Sequence, residues 1–155
     1  MGLFLYIILM KNEVTKIIID FDGVLTDGKV FYTHDGKIFK GLNTRDVRAI
    51  RELISLGYDV VILTASSWPG SVEFAKKTGS EVINMKEKYK YVESLNEKYI
   101  AIGDDVWDAS LIEKSERFFA PKDCDKFIKN NPKVEIIDKN GGEGVIAELV
   151  WILSE

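Results

Sequence analysis

Short apolar runs alternate with longer amphipathic ones along most of the chain. The runs at 15–20 (TKIIID), 59–64 (DVVILT), 81–84 (EVIN), 99–103 (YIAIG), 117–120 (RFFA) and 134–137 (VEII) are rich in Val, Ile and Phe. They lack the apolar–polar alternation of a half-buried strand, which predicts strands covered on both faces. Between them lie stretches of helical spacing. Residues 44–56 put Val47, Ile50, Leu53 and Ile54 on one face and stop at Gly57. Further helices are predicted over roughly 70–78, 86–97, 106–115, 123–130 and 143–153. Strand–helix alternation of this kind predicts an α/β fold, a Rossmann-like, doubly wound parallel sheet.

One segment breaks the rhythm. GKVFYTHDGKIFKGLN, residues 28–43, reads as two short strands around a THDG turn, and Asp35-Gly36 is a good hairpin signal. A β-hairpin therefore follows the first strand, where a crossover helix would be expected. His34 sits in its turn, where a solvated side chain is the ordinary case.

The N-terminal MGLFLYIILMK is apolar for about ten residues, half of what a membrane span needs. It lacks the basic start and small-residue cleavage site of a signal peptide, and Tyr6 stands where a myristoylation signal wants Ser or Thr. Residues 1–14 are expected to be an N-terminal extension, either a packed arm or a stretch upstream of a natural start at Met10. Residues 15–155 are expected to form a single domain.

Composition narrows the function classes. The chain has 155 residues, 46% of them apolar and 30% charged, with a net charge of −4. No basic stripe is present, so nucleic acid is not an expected partner, and neither is a membrane. Cys124 is the one cysteine and His34 the one histidine, which excludes an internal disulfide and a zinc site of the usual Cys/His kind. A lone thiol fits a reducing compartment, and a cytoplasmic location is expected.

The chemistry is concentrated at strand ends. The first predicted strand ends in Asp20-Phe21-Asp22, the second in Thr64-Ala65-Ser66 and the fourth in Gly103-Asp104-Asp105, with Asp108 just beyond. Ligands of open α/β sheets bind at these carboxyl ends. That places Asp20, Asp22 and Asp104 in one crevice with Thr64 beside them. Carboxylates so close raise one another's pKa or recruit a cation, and oxygen-only donors suit magnesium. In Asp-x-Asp on a strand both carboxylates point one way. One can attack phosphorus while the other handles a proton. Lys88, or Lys86, is placed to offset the charge. An EF-hand reading fails, because Leu25 replaces the required Gly and Phe31 the required Glu.

In this order the motifs resemble those of the haloacid dehalogenase-like phosphohydrolase superfamily. Its first motif, Asp-x-Asp-Gly-Val/Thr-Leu, is similar to DFDGVL at 20–25. Its strand-end Thr or Ser matches Thr64, its lysine matches Lys88 best, and Gly-Asp-Asp-x-x-Asp matches GDDVWD at 103–108. The resemblance implies that Asp20 is nucleophile and magnesium ligand. Asp22 is then the general acid/base, ligating through its backbone carbonyl. Thr64 and Lys88 hold phosphoryl oxygens, Asp104 ligates magnesium, and Asp105 and Asp108 give support.

A narrower likeness joins 22–46 and the tail NGGEGVIAELVWIL to the capless 3-deoxy-octulosonate 8-phosphate phosphatases and related nonulosonate 9-phosphate phosphatases. It implies a small phosphorylated metabolite as substrate and no cap domain. It also implies a homotetramer with the hairpin at the interface, in which one subunit's tail can cover its neighbour's site. The chain departs from that subfamily at Ala65-Ser66 in place of Gly-Arg, at VRAI after NTRD, and in a tail without its usual basic residues. Ala65, Ser66 and Arg45 are therefore the substrate-contact candidates whose identity differs or compensates. Two other readings compete: a non-catalytic member kept for assembly or partner binding, and a phosphotransferase.

Overall fold

The computed structural model describes residues 14–155. The predicted N-terminal extension lies outside the described residues, apart from Val14, which is buried. In chain order the elements are β1 (Lys16–Ile19), β2 (Phe31–Tyr32), β3 (Ile38–Phe39), α1 (Thr44–Ser55), β4 (Asp59–Thr64), α2 (Pro69–Thr78) and β5 (Glu81–Asn84). Then come α3 (Lys88–Glu93), β6 (Tyr99–Ile102), α4 (Ala109–Ile112), β7 (Arg117–Pro121), α5 (Lys126–Lys129), β8 (Val134–Ile137) and α6 (Val145–Ser154).

Six strands form one parallel sheet in the order β5-β4-β1-β6-β7-β8. Side chains alternate between its faces. Ile17, Ile19, Ile62, Ile100 and Ile102 pack with α1, α2 and α6. Ile18, Leu63, Ala101 and Phe118 pack with α3, α4 and α5 on the other face. This is the doubly wound α/β arrangement that the strand–helix rhythm predicts. No cap domain is present among the described residues.

Burial depends on place in the sheet. The central strands β1 and β6 are buried throughout. The edge strands are not: Val82 and Ile83 of β5 are half-buried and Ile136 of β8 is exposed. Their apolar runs predict cover on both faces, but an edge strand has a neighbour on one side only. Three helices are shorter than their amphipathic spacing predicts. In the segment predicted as 106–115, Asp105 and Asp108 close a capping box, so a 3-10 turn at Val106–Asp108 precedes α4.

The hairpin is as expected. Phe31 pairs with Phe39 and Tyr32 with Ile38, and Gly36 takes φ +81° in the turn. The rings of Phe31 and Phe39 stack at 5.3 Å. Val30, Phe31, Tyr32, Ile38 and Phe39 are all exposed.

The C-terminal tail returns to the loop after β1. Gly142 N–H donates to the Val24 carbonyl at 3.0 Å. A Cβ on Gly141 would stand 2.0 Å from the Gly23 carbonyl oxygen, so only glycine fits there. α6 buries Val145, Ile146, Leu149 and Leu153 against its own chain, mainly on α1. Its first N–H groups, from Ile146 and Ala147, donate to Asp46 Oδ1 at 2.9 and 3.0 Å. No helix among the described residues is long and apolar enough to cross a membrane.

Candidate active site

The sheet order makes β4, β1 and β6 neighbours, so their carboxyl ends meet. The crevice there, about 230 Å³, is bordered by Asp20, Asp22, Thr64, Ala65, Ser66, Lys88, Asp104 and Asp105, with Gly23, Gly28 and Trp107. Just past β1, the Asp20 N–H still donates to the Ile102 carbonyl of β6 at 3.0 Å, and Asp20 caps a tight helical turn over Phe21–Leu25, its carboxylate accepting the Phe21 N–H at 2.8 Å. Gly23 turns the chain with φ +82°, and a Cβ there would lie 1.9 Å from Asp104 Oδ2. The glycine of DFDGVL is thus what lets Asp104 lie across the loop.

Lys88, the first residue of α3, is the one of the two candidate lysines that reaches the carboxylates. Its side chain is 2% exposed, and Nζ donates to Asp20 Oδ1 at 2.7 Å and to Asp108 Oδ1 at 2.5 Å. Lys86 is exposed. Asp108 is fully buried, and its Oδ2 accepts the N–H groups of Asp104 and Asp105 at 3.0 and 3.2 Å. The Thr64 hydroxyl accepts the Ser66 N–H at 3.1 Å while bordering the crevice.

Asp20, Asp104 and Asp108 each bring a carboxylate oxygen within 4.8 Å of the others. Burial raises the Asp20 carboxyl well above the usual range, and Asp108 adds to this. Burial likewise pushes Asp104 up to about 7, with Asp108 contributing. Burial works against the charge on Lys88, but Asp20 and Asp108 outweigh it and raise its pKa. Were all three ionised, three carboxylates against the one Lys88 ammonium would leave two negative charges in a secluded place. Asp104 Oδ1 is buried with no hydrogen-bond partner. An all-oxygen set with this surplus and an orphaned carboxylate oxygen fits a hard divalent cation such as magnesium.

Asp22 stands apart from that trio. β1 ends at Ile19, so Asp-x-Asp is not on a strand as predicted, although both backbones remain extended. The Asp22 carboxylate turns to Lys40, whose Nζ donates to Oδ1 and Oδ2 at 2.7 and 2.8 Å. The Thr26 hydroxyl donates to Asp22 at 3.3 Å. Asp108 takes the place among the clustered carboxylates that the strand spacing predicts for Asp22. Arg45 is exposed on the first turn of α1 and does not border the crevice.

Two groups at or beside the crevice are missed by sequence reasoning. Lys40 leaves the hairpin toward Asp22, its side chain 4% exposed and its Nζ 5.3 Å from the centre of the Trp68 ring. Only its place after β3, facing back to the first motif, signals this. Trp107, at the crevice mouth and 64% exposed, sits between the acidic residues of GDDVWD.

The chain is 25% identical over 147 residues to the 3-deoxy-D-manno-octulosonate 8-phosphate phosphatase KdsC of Haemophilus influenzae, covering 89% of this chain and 81% of that one. The chain is similar to haloacid dehalogenase-like phosphatases of the KdsC kind. The fold agrees. A Moraxella catarrhalis 3-deoxy-D-manno-octulosonate 8-phosphate phosphatase, solved with magnesium, phosphate and KDO, superposes with TM-score 0.83 at 20% identity, over 97% of this chain and 87% of that one. The cobalt-bound Haemophilus influenzae phosphatase superposes with TM-score 0.81 at 24% identity, over 91% and 87%. No family model matches the chain. The likeness to these phosphatases therefore rests on similarity over most of both chains and on motif residues that meet at the strand ends.

Proposed function

We propose that this chain is a magnesium-dependent phosphomonoesterase that works through an aspartyl-phosphate on Asp20. Its substrate is a phosphorylated sugar acid of the 3-deoxy-D-manno-octulosonate 8-phosphate or nonulosonate 9-phosphate kind. That the chain is a phosphatase rests on its KdsC relationship. The observation that carries the mechanism is the meeting of Asp20, Asp104, Asp108 and Lys88 beyond three adjacent strands, with Thr64 on the rim.

Asp20 and Asp104, with the Asp22 backbone carbonyl, would hold magnesium. When bound, it would offset the charge of the phosphoryl oxygens beside Asp20. Asp20 attacks phosphorus, so an Oδ–P bond forms as the bond to the leaving oxygen breaks. Asp22 gives that oxygen a proton and then takes one from the water that cleaves the acyl phosphate. Lys88 and the Thr64 hydroxyl hold phosphoryl oxygens, and Asp108 fixes Lys88. Asp105, Ala65 and Ser66 line the way in. The residues from 15 onward act as one domain, in the cytoplasm, and the exposed hairpin face is the contact of a homotetramer.

Magnesium-dependent phosphate release across a panel of phosphorylated sugars and sugar acids tests this, with Asp20→Asn as control. Selective cleavage of one sugar-acid phosphate supports both reaction and substrate class. Cleavage of a generic aryl phosphate alone keeps the reaction and discards the class. No release from any compound leaves the non-catalytic reading.

A further inference from the structure

A second cavity, about 670 Å³, opens beside the crevice between the hairpin and the loop before α2. The two share Ser66. At about 230 Å³ the crevice is smaller than a pocket that buries a whole small ligand, and it must also hold a metal ion, so the rest of a substrate extends beyond it on one side or another. The two sides differ in charge. The rim formed by Asp104, Asp105 and Trp107 is acidic. The groove has no acidic side chain on its lining, and its charged groups are Lys37 and Lys40. Lys37 reaches out to Asp35 at 3.3 Å and is exposed. Lys40 is the buried one, held between Asp22, the Ser66 hydroxyl at 3.4 Å and the Trp68 ring.

We propose that this groove takes the leaving group of the substrate and that Lys40 is a specificity residue that reads a negative charge on it. The proposal rests on the phosphatase reading of the crevice and adds where the rest of the substrate lies. Lys40 lines the groove, and its Nζ links the groove to the crevice by bonding the crevice carboxylate of Asp22. Its ammonium is already held by Asp22 and lies over the Trp68 ring, so little side-chain freedom is lost when an anion arrives. An anion entering the groove meets an ammonium that is shielded from water and that can exchange its long 3.4 Å bond to the Ser66 hydroxyl for a charge-assisted one. An uncharged polyol of equal length would gain no such bond. The apolar wall, Val30, Tyr32, Ile38 and Pro69, lowers the local dielectric and strengthens the discrimination.

The test compares 6-phosphogluconate with sorbitol 6-phosphate, six-carbon esters that differ at the far end by a carboxylate against a hydroxymethyl. The wild type should favour the acid by about tenfold or more in kcat/KM, carried by KM. Lys40→Met should bring the two within about twofold of each other, whatever it does to the common rate, and Lys40→Arg should keep most of the preference. An unchanged ratio in Lys40→Met, or a wild type without preference, overturns the proposal. If Lys40→Met does not fold, Lys40→Gln takes its place. Calorimetric binding of both esters to Asp20→Asn with magnesium, with and without Lys40→Met, gives the same ratio without turnover. If the wild type cleaves no ester while that binding ratio depends on Lys40, the phosphatase reading fails and the role of Lys40 stands.

Discussion

The Lys88 ammonium is bonded to the Asp20 carboxylate at 2.7 Å, across 68 residues of sequence and with both side chains nearly shut off from water. Among the described residues, Lys88 is the cation bonded within the site of the three clustered carboxylates, since Asp108 also bonds it and Asp104 stands alongside. A buried ion pair of this kind adds little net stability but is expensive to break from one side.

Lys88→Met should therefore unfold more easily when metal is stripped. A loss of about 3 kcal/mol is expected from urea titration in EDTA, with part of it regained in magnesium. Phosphate release should fall by about a hundredfold or more. Equal unfolding midpoints in EDTA for variant and wild type would show that Lys88 is not what neutralises the cluster.

Asp20→Asn removes one of the three like charges but keeps an oxygen for the Phe21 N–H. Turnover should drop by at least about a thousandfold, while the metal-free melting temperature holds or rises. Retained turnover would rule out the acyl-phosphate route.

Gly23→Ala puts a Cβ into Asp104 and into a left-handed backbone position. The strain costs about 1–2 kcal/mol, and the larger effect is to push Asp104 off the loop. Magnesium should then raise the melting temperature much less than in the wild type. A full magnesium-induced shift in this variant would place the ion elsewhere.

Asp46 gives a pH dependence to the docking of α6. Burial pushes its carboxyl up to about 6 from the ordinary 3.8, and the Ala147 and Ile146 N–H groups only partly oppose this. The folded chain then holds the proton more tightly than the unfolded one between those values. The contribution is fully present below the lower value and is lost as pH rises through the upper one. Across that window the wild type should lose about 3 kcal/mol relative to Asp46→Asn, read as the difference between their unfolding free energies. Parallel stability curves would show that Asp46 does not titrate there.

The amino-acid sequence alone determines much of this protein. Val/Ile runs separated by amphipathic segments can be satisfied by a sheet covered on both faces, and Asp35-Gly36 makes a hairpin by local turn chemistry. The motif positions are legible too, because Asp20, Thr64 and Asp104 each fall where an apolar run ends. Local pattern carries no information about which strands become edges, so the exposure of Ile136 is absent from it. Nor does spacing reveal side-chain direction once the backbone leaves the ladder. Asp22 turns from the carboxylate cluster to Lys40, and Asp108 enters through a capping box four residues after Asp104. Lys88 over Lys86, Lys40 between two cavities and Asp46 beneath α6 are pairings of residues 18 to 100 positions apart. Such pairings exist only after packing has brought the elements together, because a charge finds its partner by distance in space and not along the chain.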